Sequence, residues 1–124
     1  QALIHNLLQS VSCCGTDGEN FYHGLVLGLC ATLDNRFYIT SNRESGEGRY
    51  DICLCPKDGK LPGILIELKA AKDCPEDELK ELSEKALAQI DSRKYETELT
   101  VKGVRNILKY GVAFSGKRVQ ITAE

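Results

Sequence analysis

Asp51, Glu67 and Lys69 are the residues of this 124-residue chain whose types and spacing together suggest chemistry. Asp51 follows Arg49-Tyr50 at the head of one strand-like segment. Glu67 and Lys69 lie in a second, Ile64-Leu65-Ile66-Glu67-Leu68-Lys69. Pro56-Lys57-Asp58-Gly59-Lys60 between them has the Pro, Asp and Gly of a turn. Asp51 and Glu67 are equally far from Gly59, so a symmetric fold-back sets them opposite each other in an antiparallel pair. Directly opposed residues have Cβ atoms about 4.5–5.5 Å apart, and like charges so placed repel. Two acids there call for a cation between them. Side chains alternate along a strand, so Lys69 points the same way as Glu67 at about 6.5–7 Å, within reach of a phosphate or an attacking water. Oxygen ligands without His or Cys favour Mg²⁺ or Mn²⁺ over zinc. Such ions lower the pKa of water and neutralise charge building on a phosphodiester. The bland alternative is a surface Glu–Lys pair beside an unrelated Asp, since Glu-x-Lys alone is common. Asp51 across the turn, and the apolar strand leading to Glu67, favour the metal site.

The elements that must position these groups follow from periodicity. Leu3, Ile4, Leu7, Leu8 and Val11 keep a helical rhythm, and Asp17 can cap a second helix from about Glu19 to Leu33. That second helix is apolar on most sides, which predicts burial all round. Arg36 to Ser41 reads as a strand and Asn42 to Gly48 as a polar loop. Strands over Asp51–Cys55 and Ile64–Lys69 come next. Pro75 in a first turn, with Glu76, Asp77 and Glu78, opens a helix. Leu79, Leu82, Ala86, Gln89 or Ile90, and Arg93 share its broad face. Ile107–Phe114 and Arg118–Thr122 complete the set. The expected fold is a single α/β domain over residues 1–124, a mixed central sheet flanked by helices in the order α-α-β-β-β-α-β-β.

Composition narrows the classes. With 42% apolar and 27% charged residues the chain is an ordinary globular domain, long enough for a core without disulfide staples. It contains no methionine, so it is expected to be a piece of a longer protein. The longest apolar stretch, Leu25 to Ala31, is far short of the roughly 18 residues of a membrane span. No signal-peptide pattern opens the chain, and a cytoplasmic setting is expected. The six cysteines show no scaffold spacing and read as reduced thiols. Cys53-Leu54-Cys55 has the look of a zinc pair, but no Cys-x-x-Cys or paired His accompanies it. A net charge of −2 argues against a general polyanion binder. Acids dominate from Glu76 to Glu98 and are absent from Leu99 to Ala123, where Lys102, Arg105, Lys109, Lys117 and Arg118 occur. That stretch is either a phosphate footprint or a solvated face, and charge alone favours the solvated face.

Taken in order, Glu19 on a helix, Asp51, Glu67-Leu68-Lys69 and Gln89 on a following helix resemble the PD-(D/E)XK nuclease superfamily. Phe21-Tyr22-His23-Gly24, Ser41-Asn42-Arg43-Glu44-Ser45-Gly46, Gly48-Arg49-Tyr50-Asp51, Gln89-Ile90 with Tyr95, and Tyr110-Gly111-Val112-Ala113-Phe114 with Gly116-Lys117 resemble one bacterial branch of it. That branch often lies downstream of an AAA-ATPase-like domain. The likeness covers about residues 19 to 119, with several separated motifs in register. It implies a restriction-endonuclease-like core and a nuclease using Mg²⁺ or Mn²⁺ on nucleic acid, DNA before RNA. Asp51 and Glu67 would be metal ligands, with the Leu68 backbone carbonyl a third. Glu19 would add a ligand from its helix, Lys69 would orient or activate the attacking water, and Gln89 would organise the site or touch the nucleic-acid backbone. Tyr50 stands where the superfamily's name has proline, a variable position.

Four further residues are candidate nucleic-acid contacts. His23 follows Glu19 by one turn and either meets a phosphate, holds Glu19, or is a partly buried histidine. Arg43 and Arg49 flank the approach to Asp51 and either hold phosphate or neutralise the acids. Lys117 is expected at a hairpin tip as a phosphate contact, and Tyr95 reads as packing. Two other function classes remain open: a nuclease-like binding module without catalysis, and a zinc domain built on Cys53 and Cys55. Many nucleases of this fold dimerise, but no seam is visible in the sequence.

Overall fold

A computed structural model describes residues 18–44, 49–90, 96–116 and 118–124. Helix α1 (Gly18–Leu33) precedes three strands: β1 (Phe37–Glu44), β2 (Arg49–Pro56) and β3 (Gly63–Ala70). Helices α2 (Glu76–Ala88) and α3 (Glu96–Val101) follow, then β4 (Ile107–Ser115) and β5 (Arg118–Ala123). The five strands form one sheet in the order β1-β2-β3-β4-β5. β3 and β4 run parallel and the other neighbours antiparallel. A parallel pair cannot close through a tight turn, and α2 and α3 supply the crossover between β3 and β4. The sheet is mixed and flanked by helices, as expected from the sequence.

Alternation along the strands sorts their side chains between two layers. Tyr50, Ile52 and Leu54 of β2, Ile64, Ile66 and Leu68 of β3, and Tyr110, Val112 and Phe114 of β4 form one cluster with Tyr22, Leu25, Leu29 and Leu33 of α1. The α1 residues recur at helical spacing, which presents one stripe to the sheet. Full burial of each large side chain contributes about 1.5–3 kcal/mol. The helix is not buried all round, however: Leu27 is 71% exposed. One sheet covers one stripe, and no second layer caps the helix among the described residues.

The opposite face of the sheet behaves differently. Its apolar contacts fall into two patches. Cys53, Cys55 and Leu65 pack with Leu99 of α3, Ile90 and Val104. Cys74, Leu79 and Ala113 pack with Ala71 and Leu82. Between these patches runs a row that the strand register aligns as Asn42, Asp51, Glu67, Gly111 and Thr122. Two carboxylates interrupt what would otherwise be one continuous core.

Helix α2 is anchored over this face. Pro75 is its N-cap, one position earlier than expected, because its carbonyl accepts the Leu79 N–H at 2.8 Å. Glu76, Asp77 and Glu78 fill the first turn, where negative charge suits the helix dipole. The lead-in is tied to the β4–β5 turn: the Cys74 N–H donates to Ser115 Oγ at 3.1 Å, and Arg118 donates to the Cys74 carbonyl. Three further expectations are corrected here. β1 continues through Asn42–Glu44 instead of ending at Ser41, because an edge strand tolerates polar residues. α2 ends at Ala88, so Gln89 is its C-cap. α3 was not foreseen, and the observed order over the described residues is α-β-β-β-α-α-β-β. The helix expected over Leu3–Val11, the Asp17 cap and Arg93 lie outside the described residues.

Candidate active site

The β2–β3 hairpin sets the geometry. Every pair in its ladder is symmetric about Gly59, and Asp51 pairs with Glu67 as the sequence suggested. Both carboxylates are buried, with Asp51 6% and Glu67 4% exposed. Opposed positions put their Cβ atoms at about 4.5–5.5 Å. Burying two like charges side by side costs free energy unless positive charge or hydrogen bonds compensate. Lys69 lies two residues beyond Glu67 on the same face, at the half-buried end of β3. It pairs with Arg49 on one side and Ala113 on the other. Asp51, Glu67 and Lys69 each make interactions within the fold, so none is without a partner.

The tight seat of α2 shapes the floor beside this row. Gly111 pairs with Glu67, and a Cβ on it would fall 2.2 Å from the Ser83 carbonyl oxygen and 2.4 Å from the Leu87 nitrogen. Only glycine lets the helix backbone come this close to the sheet. Ser83 is fully buried; its hydroxyl lies 2.7 Å from Thr122 Oγ1 and donates to the Lys80 carbonyl at 2.6 Å. The row of acids is therefore walled by α2 on one side. On its other side it opens through the exposed Asn42 onto the edge strand.

The remaining expected site residues are placed unequally. Glu19 lies in the first turns of α1, against the opposite face of the sheet. That end of α1 stands at the Asp51 end of β2, because Tyr22 stacks on Tyr50 at 4.2 Å between ring centroids. The side chain of Glu19 is outside the described residues. His23 is exposed rather than partly buried, its ring tilted against Tyr22 at 5.7 Å. Gln89 is exposed just past α2, between Leu87 at Gly111 and Ile90 over Cys53 and Leu65. Leu68 is fully buried on the α1 face, leaving only its backbone to the site. Arg43 pairs with Tyr50, one step out of the Asp51 row, while Arg49 pairs with Lys69. Lys117 and Tyr95 are outside the described residues. The sequence reading missed Asn42 as a neighbour of Asp51 and Gly111 as the seat of α2. A glycine inside the apolar run Tyr110-Gly111-Val112 was the available signal for the second.

The donor set suits a hard divalent cation. Two carboxylates face each other, and no thiol or imidazole joins them among the residues of the row. No group of three or more His, Cys, Asp and Glu gathers among the described residues, so further ligands would come from the Leu68 carbonyl or from Glu19. Cys53 and Cys55 form no disulfide and sit within an apolar cluster, one and two rows below.

A sequence model of the PD-(D/E)XK nuclease superfamily matches residues 17–124, and the chain belongs to that superfamily. Membership suggests a nuclease, and such nucleases act on nucleic acid and generally use divalent metal ions. No curated protein matches the chain. No described helix is long and apolar enough to cross a membrane.

Proposed function

We propose that this domain is a metal-dependent nuclease that hydrolyses phosphodiester bonds, in DNA rather than RNA. The observation carrying the reading is the buried, directly opposed Asp51–Glu67 pair with Lys69 two residues on. Asp51, Glu67 and the Leu68 carbonyl hold Mg²⁺ or Mn²⁺, with Glu19 as a further ligand from α1. The ion, when bound, supplies positive charge that offsets the charge developing on the phosphate and favours ionisation of water. Lys69 orients the attacking water and contributes a second positive charge. Gln89 positions the strand from the end of α2. His23, Arg43, Arg49 and Lys117 contact the nucleic-acid backbone. Hydrolysis adds hydroxide to phosphorus and a proton to the departing oxygen, so no co-reactant beyond water is needed. The burial of both acids excludes bulk solvent, which strengthens each charge interaction.

The wider setting is part of the same proposal. The domain works in the cytoplasm as the nuclease portion of a longer protein with an AAA-ATPase-like domain upstream, and the dimeric state common among nucleases of this fold stays open to it. The decisive experiment is a cleavage assay on linear, circular and single-stranded DNA and on RNA, with Mg²⁺, Mn²⁺ or EDTA. Cleavage is expected with either ion, is expected to be lost in EDTA, and to be lost in Asp51→Ala, Glu67→Ala and Lys69→Ala. Cleavage persisting in all three variants would sink the assignment of this site. A protein that neither cuts nor binds divalent ions by calorimetry would instead be a binding module on a nuclease fold.

A further inference from the structure

The turn end of the β2–β3 hairpin carries a second charged assembly, which the catalytic reading leaves unused. Tyr38 of β1 is 48% exposed there. Over its ring stand two ammonium groups, Lys57 Nζ at 5.0 Å and Lys102 Nζ at 4.7 Å from the centroid. Lys57 belongs to the hairpin turn and Lys102 follows α3. These two segments meet: a Cβ on Gly59 would lie 3.1 Å from the Lys102 carbonyl oxygen. Beside them is a cleft of about 510 Å³ lined by Asp58, Lys60, Leu61, Pro62, Arg105 and Asn106 among others. Asp58 is the one carboxylate on that lining, and its Oδ1 accepts the Lys60 backbone N–H at 3.0 Å. On that lining Lys60 and Arg105 outnumber it two to one, and Lys57 and Lys102 stand beside them at Tyr38.

Two like charges drawn to one ring repel each other, and each cation–π contact at an exposed site offsets only about 0.5–1 kcal/mol of that. An anion settling between them removes the conflict. The location says which anion. Tyr38 pairs with Cys55 and Asn42 with Asp51, so Tyr38, Thr40 and Asn42 lie on the face that carries Asp51. All three are exposed along β1, the edge strand of the sheet among the described residues. Four residues of strand separate Tyr38 from Asn42, about 13 Å. Along its axis a duplex strand presents one phosphate about every 3.4 Å, so a duplex lying along β1 presents about four phosphates over that span. Arg105 adds a planar fork that fits phosphate oxygens.

The geometry points to a second nucleic-acid contact, in which Lys57, Lys60, Lys102 and Arg105 grip the phosphates of a strand whose scissile bond lies at Asp51 and Glu67. This contact rests on the nuclease reading above and adds to it a path: the strand runs along β1, from Asn42 past Thr40 to Tyr38. An acidic protein segment would need no such continuity with the carboxylate row.

The test measures binding apart from cleavage. Anisotropy of labelled 20-nucleotide single strands and 20-base-pair duplexes is followed in EDTA across a salt series, and cleavage is followed with Mn²⁺. Lys57→Ala/Lys102→Ala and Lys60→Ala/Arg105→Ala are compared with Lys80→Ala/Lys85→Ala, which removes the same charge from the exposed side of α2. Each of the first two pairs is expected to weaken single-strand binding about tenfold at 0.15 M salt and to flatten the salt slope by about 1.4, two contacts' worth. The same loss on the duplex alone would place a double strand on this path. Affinity and slope equal to those of the control pair would overturn the inference, as would polyglutamate displacing the oligonucleotide at equal charge. Binding through these residues without any cleavage would uphold the contact and overturn the nuclease reading. Cleavage with binding indifferent to the substitutions would do the reverse.

Discussion

The two ends of the β2–β3 hairpin gather opposite charges by opposite means. At one end Asp51 and Glu67 are both more than nine-tenths buried, locked by strand register and walled on one side by α2. At the other, Lys57 and Lys102 are held at the surface by an aromatic ring and by the meeting of two loops. Burial makes the first pair expensive to form and strong in its grip on a counter-ion, because charges interact more strongly away from water. Exposure makes the second pair inexpensive and screened by salt. A site that does chemistry needs the first kind of construction, while a site that only holds a polyanion can use the second.

The sharpest way to break this contrast is to neutralise the buried end. Asp51→Asn/Glu67→Gln keeps size and removes both charges. Cleavage is expected to fall by about 10³-fold or more, since an ion stabilising transition-state charge contributes several kcal/mol. Thermal unfolding supplies a readout independent of activity. A divalent ion at a hundred times its dissociation constant stabilises a folded protein by about 2.7 kcal/mol. The unmodified protein is therefore expected to melt higher in Mn²⁺ and the double variant not to respond. An equal response in both would move the metal elsewhere.

Gly111→Ala attacks the same end through its mounting. The new methyl group would meet the backbone of Ser83 and Leu87, which cannot swing aside as a side chain does. Overpacking of this kind costs about 1–3 kcal/mol and sometimes more, and backbone contact puts this case at the upper end. Denaturant unfolding measures it. The comparison is sharpened if cleavage falls with the displaced helix while salt-dependent binding at Lys57 and Lys102 survives. Ser83→Ala is the milder form. It leaves the Thr122 hydroxyl without its helix partner and is expected to cost about 1 kcal/mol.

The contrast also explains what could be read from the chain beforehand. The Asp51–Glu67 register was legible because turn residues centred on Gly59 leave a short hairpin little choice of pairing. The two faces of β3 were legible because alternation is a local rule, and Ile64, Ile66 and Leu68 do face α1. Asn42 was hidden for the opposite reason. Polar residues on an edge strand resemble a loop, so β1 was expected to stop short of the row it completes. Helix α3 was hidden because Glu96–Val101 is a six-residue stretch too short to show a period. The cation pair at Tyr38 depends on tertiary contact between residues 57 and 102, which no local pattern encodes. Charge counting had favoured a solvated face for that stretch.

Tyr38 offers the smallest and most discriminating test, because it should affect one end of the hairpin alone. Tyr38→Phe keeps the aromatic face over which Lys57 and Lys102 stand, whereas Tyr38→Leu keeps bulk and removes the face. Each cation–π contact at an exposed site is worth about 0.5–1 kcal/mol; the lysines keep their charge and lose only their placement, so about one contact's worth is expected to be felt in binding, with the leucine variant about two- to fivefold weaker on a 20-nucleotide strand and the phenylalanine variant nearly normal. Both remain fully charged, so the salt slope should barely move. That separates loss of arrangement from loss of charge, which lowers affinity and slope together. Because Tyr38 lies about 13 Å along β1 from Asn42, the metal-dependent gain in melting temperature should be unchanged in both variants. Equal binding by the two variants would mean that the ring does not organise the lysines, and a fallen metal response would mean that the two ends are coupled through β1.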